Sequence, residues 1–260
     1  MGGRPLAGYA HLIRAAERLQ WDEAALDLGA DARAFAALPT ADRDRLRGLL
    51  AGFAIAEAAV AAHLEPFADA AEDPDLARAF ALQAVDEARH ARFFARAAAV
   101  FDAPRSEARP ELVALFEEEL PRRADALARG GDLRHAVGLY HLVLEGIVFL
   151  VGQEALLDAA APLPVLSEGV RRVQADERWH LGLGVLCLAR AGGGDLDLDA
   201  PARLALRCWD VDMDADRVLS GHRRRLGLGG ADQRSLDAVA DLRDVLVERL
   251  DRPAAGVHGR

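Results

Sequence analysis

Long runs rich in Ala, Leu and Arg alternate with short breaks along the chain, and no segment shows the strict apolar–polar alternation of a strand. The run "LPTADRDRLRGLLAGFAIAEAAVAAHLEPFADAA" reads as one long helix from about residue 41 to 71. Thr40 is its expected N-cap, with Asp42 and Asp44 in a first turn that favours negative charge. Asp73 and Pro74 then open a second helix that runs to about 101. Further helices are predicted at roughly 106–128, 133–160 and from Pro164 to the glycines near 192, with two more over 200–226 and 231–250. Helices of about 30 residues reach roughly 45 Å at 1.5 Å per residue. Joined by short connections, they make an antiparallel all-α bundle. No Pro- or Ser-rich linker divides the sequence, so residues 1–260 are read as a single domain, with its core at about 40–195.

Composition narrows the partners. A formal net charge of -10 argues against nucleic acid, because an acidic surface repels phosphate. No long uncharged run suggests a membrane span; the most apolar stretch, "HLVLEGIVFLVG", is interrupted by Glu145. Cys187 and Cys208 lack metal-type spacing and read as reduced thiols of a cytoplasmic protein.

The chemistry lies in a repeat. "VDEARHARFF" and "ADERWHLGLG" both contain Asp-Glu-x-x-His inside predicted helices. Residues three apart share a helix face, so Glu87 projects with His90, and Glu177 with His180. Each motif is preceded by a helix with one glutamate among apolar residues: Glu57 in "FAIAEAAV" and Glu145 in "HLVLEGIVF". The separations are similar, 87 − 57 = 30 and 177 − 145 = 32. Two Glu-x-x-His helices and two helices with one Glu each are the ligand set of a dinuclear bundle site. Four buried carboxylates repel one another and resist desolvation, whereas two divalent ions neutralise them. The oxygen- and nitrogen-rich set suits iron or manganese rather than structural zinc. A metal-bound imidazole usually donates its other N–H to a carboxylate, so Asp176 is expected to hold His90 across the bundle, and Asp86 to hold His180. His63, His135 and His141 lack the paired spacing and are not read as ligands.

With "DEARH", "DERWH" and the two lone glutamates in this order, the sequence resembles the ferritin-like superfamily, and more closely the small subunit of ribonucleotide reductase, over roughly residues 9–225. "QWDEAALDL", with Trp21, is similar to the Trp-containing segment those proteins carry ahead of the bundle. Phe94 stands where the common reductase subunit has its radical tyrosine, and the tail "DRPAAGVHGR" has no tyrosine. Tyr140, five residues before Glu145, and Val60, three after Glu57, match instead the reductase-like ligand-binding oxidases.

That resemblance implies a homodimeric ferritin-like bundle with additional flanking helices. It implies one manganese and one iron, or two irons, bridged by Glu87 and Glu177, and O2 as co-substrate. It further implies a two-electron C–H oxidation, a Val60–Tyr140 ether cross-link and a bound long-chain fatty acid. In an ideal helix Tyr140 would lie about 140° from Glu145, an angle that a π-bulge would shift. The other readings are a tyrosine-radical-free reductase subunit and a non-catalytic ferritin-like metal-binding protein.

Overall fold

The computed structural model describes residues 8–191, 204, 205 and 207–209; the helices expected at 200–226 and 231–250 lie almost wholly outside the described residues. Among the described residues ten α-helices are formed: α1 (Tyr9–Arg18), α2 (Ala32–Ala36), α3 (Thr40–Ala62), α4 (Glu65–Asp69), α5 (Pro74–Val100), α6 (Pro110–Ala114), α7 (Leu120–Ala128), α8 (Leu133–Val137), α9 (Leu150–Ala159) and α10 (Pro164–Ala191). A π-helical segment, Leu115–Glu119, joins α6 to α7, and a longer one, Gly138–Phe149, joins α8 to α9. The described residues contain no strand.

Four rods enclose the core. They are α3, α5, the continuous α8–π–α9 rod, and α10, with α3 packed along α5 and α9, and α10 along α5 and the π segment. The flanking α1 lies on α5 and α10. The sequence reading places no element there, yet α1 buries Tyr9, Ile13 and Ala16 on one face.

Three boundaries differ from the sequence reading. The helix expected at 41–71 stops at Ala62, and α4 restarts at Glu65 with Pro66 in its first turn. Proline disfavours helical geometry in the residue before it and cannot donate its own bond, so it breaks a run that composition alone would continue. Thr40 is the first helical residue and Pro39 the cap, with no side-chain cap bond. The helix expected at 106–128 is divided into a 3-10 turn, α6, π segment and α7. By contrast α5 begins as expected, Asp73 accepting from the Asp75 amide at 2.9 Å. The start of α10 is capped from far along the chain: buried Asp31 accepts from the Leu166 amide at 2.8 Å.

The runs Thr40–Asp69 and Leu133–Ala159 are long and apolar enough to cross a membrane, but 61% and 89% of their most apolar windows are buried within the protein. Their apolar faces are spent on each other and on a cluster of rings. Phe53 stacks on Phe94 at 4.7 Å and on Trp209 at 4.9 Å, and Phe149 stacks on Phe116 at 5.6 Å. Trp209 donates to the Val148 carbonyl at 2.7 Å, near the end of the π segment.

Candidate metal centre

The four rods each present one or two polar side chains to the middle of this apolar core. Glu57 comes from α3, Glu87 and His90 from α5, Glu145 from the π segment, and Glu177 and His180 from α10. Their ligand atoms form two overlapping groups, each gathered within 4.8 Å: Glu57, Glu87, His90 and Glu177, and Glu87, Glu145, Glu177 and His180. Glu87 and Glu177 belong to both, so they lie between the two groups. The sequence reading groups these six residues as one set, and the fold brings all six to one place.

The histidines face inward with Nδ1 and outward with Nε2. His90 Nδ1 lies 3.5 Å from Glu87 and 3.7 Å from both Glu57 and Glu177. His180 Nδ1 lies 3.1 Å from Glu87, 3.3 Å from Glu177 and 3.6 Å from Glu145. Outward, His90 Nε2 pairs with Asp176 Oδ2 at 3.0 Å, and His180 Nε2 with Asp86 Oδ2 at 3.4 Å. Each motif's aspartate therefore meets the other motif's histidine. Trp21 donates to Asp176 at 2.8 Å, and Trp179 donates to Asp86 at 3.1 Å.

Sequence reasoning missed the group that ties these aspartates together. Arg89 is buried, bonds Asp86 at 2.5 Å and Asp176 at 2.9 Å, and donates to Gln20 at 2.9 Å. One cation thus serves two buried carboxylates, with the Trp21 ring 5.2 Å from its guanidinium carbon. Its only sequence signal was its place beside His90, inside the motif.

The electrostatics of the six residues describe a cluster short of positive charge. Burial, reinforced by the neighbouring glutamates, holds the Glu57, Glu145 and Glu177 carboxyls above their ordinary range. Burial also pushes Glu87 up, but the two neighbouring histidines, His180 and His90, outweigh that and hold it low. Burial lowers both histidines, yet Asp176 and Glu87 raise His90, and Asp86, Glu177 and Glu87 raise His180, to well above the usual value. Protons thus carry the compensation that two divalent cations would supply against four carboxylates.

The donor set fits such ions. Both oxygens of Glu57, Glu87 and Glu177, one of Glu145, and Nδ1 of both histidines are buried without a hydrogen-bond partner. Unsatisfied buried polar atoms are costly, and metal ions held between them would satisfy so many converging on one point.

Val60 is fully buried on α3, just after Glu57. Tyr140 is fully buried on the π segment, and its phenol is raised well above its ordinary range by burial and by the charges of Glu87, Glu145 and Glu177. Bonding from residue i to i+5 turns residues five apart toward one face, so the π segment orients Tyr140 with Glu145.

Glu145 and Glu177 are 3% and 7% exposed, while Glu57, Glu87, His90 and His180 are closed off completely. They border a narrow cleft of about 10 Å³ with Leu150, Gln153, Gln174, Arg178 and Leu181. The Gln153 amide is buried there with neither end bonded. A larger surface hollow of about 440 Å³ lies on the other face of α3, lined by Ala54, Ile55, Ala58 and Phe116 among others.

No protein-family profile matches the chain. Solved structures do. One is an R2-like ligand-binding oxidase with an aerobically reconstituted metal cofactor after photoconversion: 23% identity, 94% of this chain and 91% of that one, TM-score 0.64. A point variant of R2-like ligand-binding oxidase with aerobically reconstituted Mn/Fe cofactor aligns at 22% identity, over 94% and 93%, with TM-score 0.65. Another variant, with anaerobically reconstituted Mn/Fe cofactor, aligns at 24% identity, over 94% and 91%, with TM-score 0.64. The chain has the ferritin-like fold. Within that fold the six residues lie on the four bundle rods, where ferritin-like di-iron and di-manganese proteins build their sites.

Proposed function

We propose that this chain, folded as one domain, is an oxygen-activating oxidase. Glu57, Glu87 and His90 would hold one metal ion, and Glu145, Glu177 and His180 the other, with Glu87 and Glu177 shared. The cofactor is one manganese and one iron, or two irons. The observation that carries this reading is the pair of overlapping four-residue groups, sealed in the core, whose facing atoms have no hydrogen-bond partner. Two such ions, when bound, supply the electrons that reduce O2 and so make the two-electron oxidation of a C–H bond possible.

The protein's own part is to hold, orient and dry the site. Asp176 and Asp86 accept from Nε2 of His90 and His180, which orients each ring so that Nδ1, on losing its proton, would turn a lone pair toward a metal ion. Arg89, Trp21 and Trp179 hold those aspartates in place. Phe53, Phe94 and Phe149 are fully buried in the surrounding core and exclude water. Glu57, Glu145 and Glu177 give up their protons as they become ligands, so the buried charge stays balanced.

Val60 and Tyr140 are our candidates for a self-made ether link. One hydrogen leaves the valine β carbon, one leaves the phenol, and the two electrons pass to O2. The burial of both residues and the closeness of Tyr140 to Glu87, Glu145 and Glu177 support this. An apolar ligand such as a long-chain fatty acid would enter by the cleft beside Gln153. At about 10 Å³ that cleft admits an alkyl chain only if Leu150 and Leu181 part. Cytoplasmic placement rests on two free thiols, Cys187 and Cys208. The homodimer implied by the resemblance is checked by light scattering.

The deciding experiment loads the apoprotein aerobically with manganese and iron and measures both metals and intact mass. The expected result is two metals per chain and a mass lower by two hydrogen atoms. Tyr140→Phe should keep both metals and show no mass loss. Fewer than two metals in the wild type would overturn the dinuclear reading; two metals without a mass change would overturn only the cross-link.

A further inference from the structure

The two half-sites use the same ligand types, yet their lone glutamates are held differently. Glu57 has no hydrogen bond to either oxygen. Glu145 accepts one: the Gln83 amide nitrogen donates to its Oε1 at 2.6 Å. Gln83 stands one turn before Glu87 on α5, fully buried. With its nitrogen on Glu145, its amide oxygen faces His141 Nε2 at 3.1 Å. Burial and the charge of His180 push the His141 pKa down to about 3, so the ring is neutral, and Nε2 must carry the hydrogen that Gln83 accepts.

The result is a one-way relay: His141 Nε2–H donates to the Gln83 oxygen, and the Gln83 N–H donates to Glu145. His141 cannot easily leave. Its ring lies 4.8 Å from Tyr140 and 5.9 Å from Phe80. On α10, a Cβ at Gly184 would stand 2.2 Å from the His141 Cβ, so the relay needs glycine at that position.

We propose that Gln83, backed by His141, is a positioning residue that makes the Glu145 half-site the tighter of the two. Gln83 holds Oε1 of Glu145, the oxygen that lies 3.6 Å from His180 Nδ1, and Oε2 carries no hydrogen bond. That carboxylate meets the first ion already oriented. Glu57 must be ordered by the ion itself, and that ordering subtracts from binding. Loading is therefore sequential, beginning at Glu145 and His180. This inference rests on the dinuclear reading above.

The test is an anaerobic titration of the apoprotein with Mn(II) alone, following the free ion by electron paramagnetic resonance. The wild type should bind two ions in two resolved steps. Glu145→Gln should remove the tighter step, and Glu57→Gln the weaker one. Gln83→Met keeps the volume but removes the donor; it should loosen the tighter step by roughly 10–100-fold and move the weaker one less than about threefold. His141→Leu should act on the same step more mildly, and His141→Gln, which restores a donor, should recover it. That rescue pair carries the test if Gln83→Met fails to fold. Equal steps in the wild type, loss of the weaker step in Glu145→Gln, or a Gln83→Met effect on both steps or on neither would overturn the proposal. Fewer than two ions bound by the wild type would instead sink the dinuclear reading.

Discussion

Glu57 and Glu145 occupy matching places in the two halves of the chain, yet their surroundings differ in three ways. Glu57 sits on an unbroken α-helix, while Glu145 sits on a twelve-residue π segment. Both Glu57 oxygens are unbonded, while Glu145 is held by Gln83. Glu57 is sealed, while Glu145 and its neighbour Glu177 reach the cleft beside Gln153. A repeated sequence pattern thus produces an asymmetric cluster. The candidate ligands repeat, but the residues that orient them and the path to solvent do not.

The broadest way to break this comparison is to remove what the halves share. Glu87→Ala or Glu177→Ala takes a member from both groups, so metal analysis should fall from two ions per chain to less than one. Glu57→Gln or Glu145→Gln should leave about one ion, since each touches a single group. If the Glu87 and Glu177 variants each kept a full half-site, the shared placement would be wrong.

Arg89→Met should produce the largest loss of stability. It leaves two buried aspartates without their common cation, a change that typically costs about 3–5 kcal/mol. Denaturant unfolding of the apoprotein measures it. Because Asp86 and Asp176 serve different histidines, the variant should also weaken metal binding in both half-sites alike, unlike Gln83→Met.

Two glycines of α10 separate packing from positioning. An added methyl at Gly184 meets His141, and one at Gly169 meets Phe93 at 2.2 Å, far from the relay. Each Ala variant should lose roughly 1–3 kcal/mol by overpacking. Only Gly184→Ala should also loosen the tighter Mn(II) step. A matching effect from Gly169→Ala would show that the step reads general strain.

The smallest effect concerns the thiols, which lie outside the comparison and serve as its control. Burial pushes Cys187 up to about 11 and Cys208 up to about 12. A raised pKa keeps the thiol protonated below it, so at about pH 8.5 iodoacetamide should label the folded chain far more slowly than the unfolded one. Labelling rates should not change between wild type and Gln83→Met. Fast labelling of both would mean that the core opens readily, and the step-specific effects would then need another cause.

Much of this was legible in one dimension. Helical periodicity sets Glu87 with His90 and Glu177 with His180, because a three-residue spacing is local geometry. The lone glutamates were conspicuous because a carboxylate among Ala, Leu and Ile is costly unless something claims it. Pro74 after Asp73 marked the start of α5, and the crossing of Asp176 to His90 followed from what a metal-bound imidazole needs. The reading failed where composition was ambiguous. By composition an Ala-rich run continues through Pro66, where the helix breaks, and the short amphipathic α1 lies outside the runs that periodicity marks as helix.

Sequence alone determined the class of fold and the identity of the facing groups, since both follow from patterns within a single turn or a single helix. Tertiary structure decided which groups share a neighbour. Arg89 reads as an ordinary charged helix residue until α10 brings Asp176 to it. Gln83 and His141 read as unremarkable polar positions until the π segment and α5 meet across the core. The π segment, Gly138–Phe149, carries no pattern of residue types that sets it apart from an α-helix. The difference between the two half-sites is therefore a property of contacts between rods, which no spacing along the chain can encode.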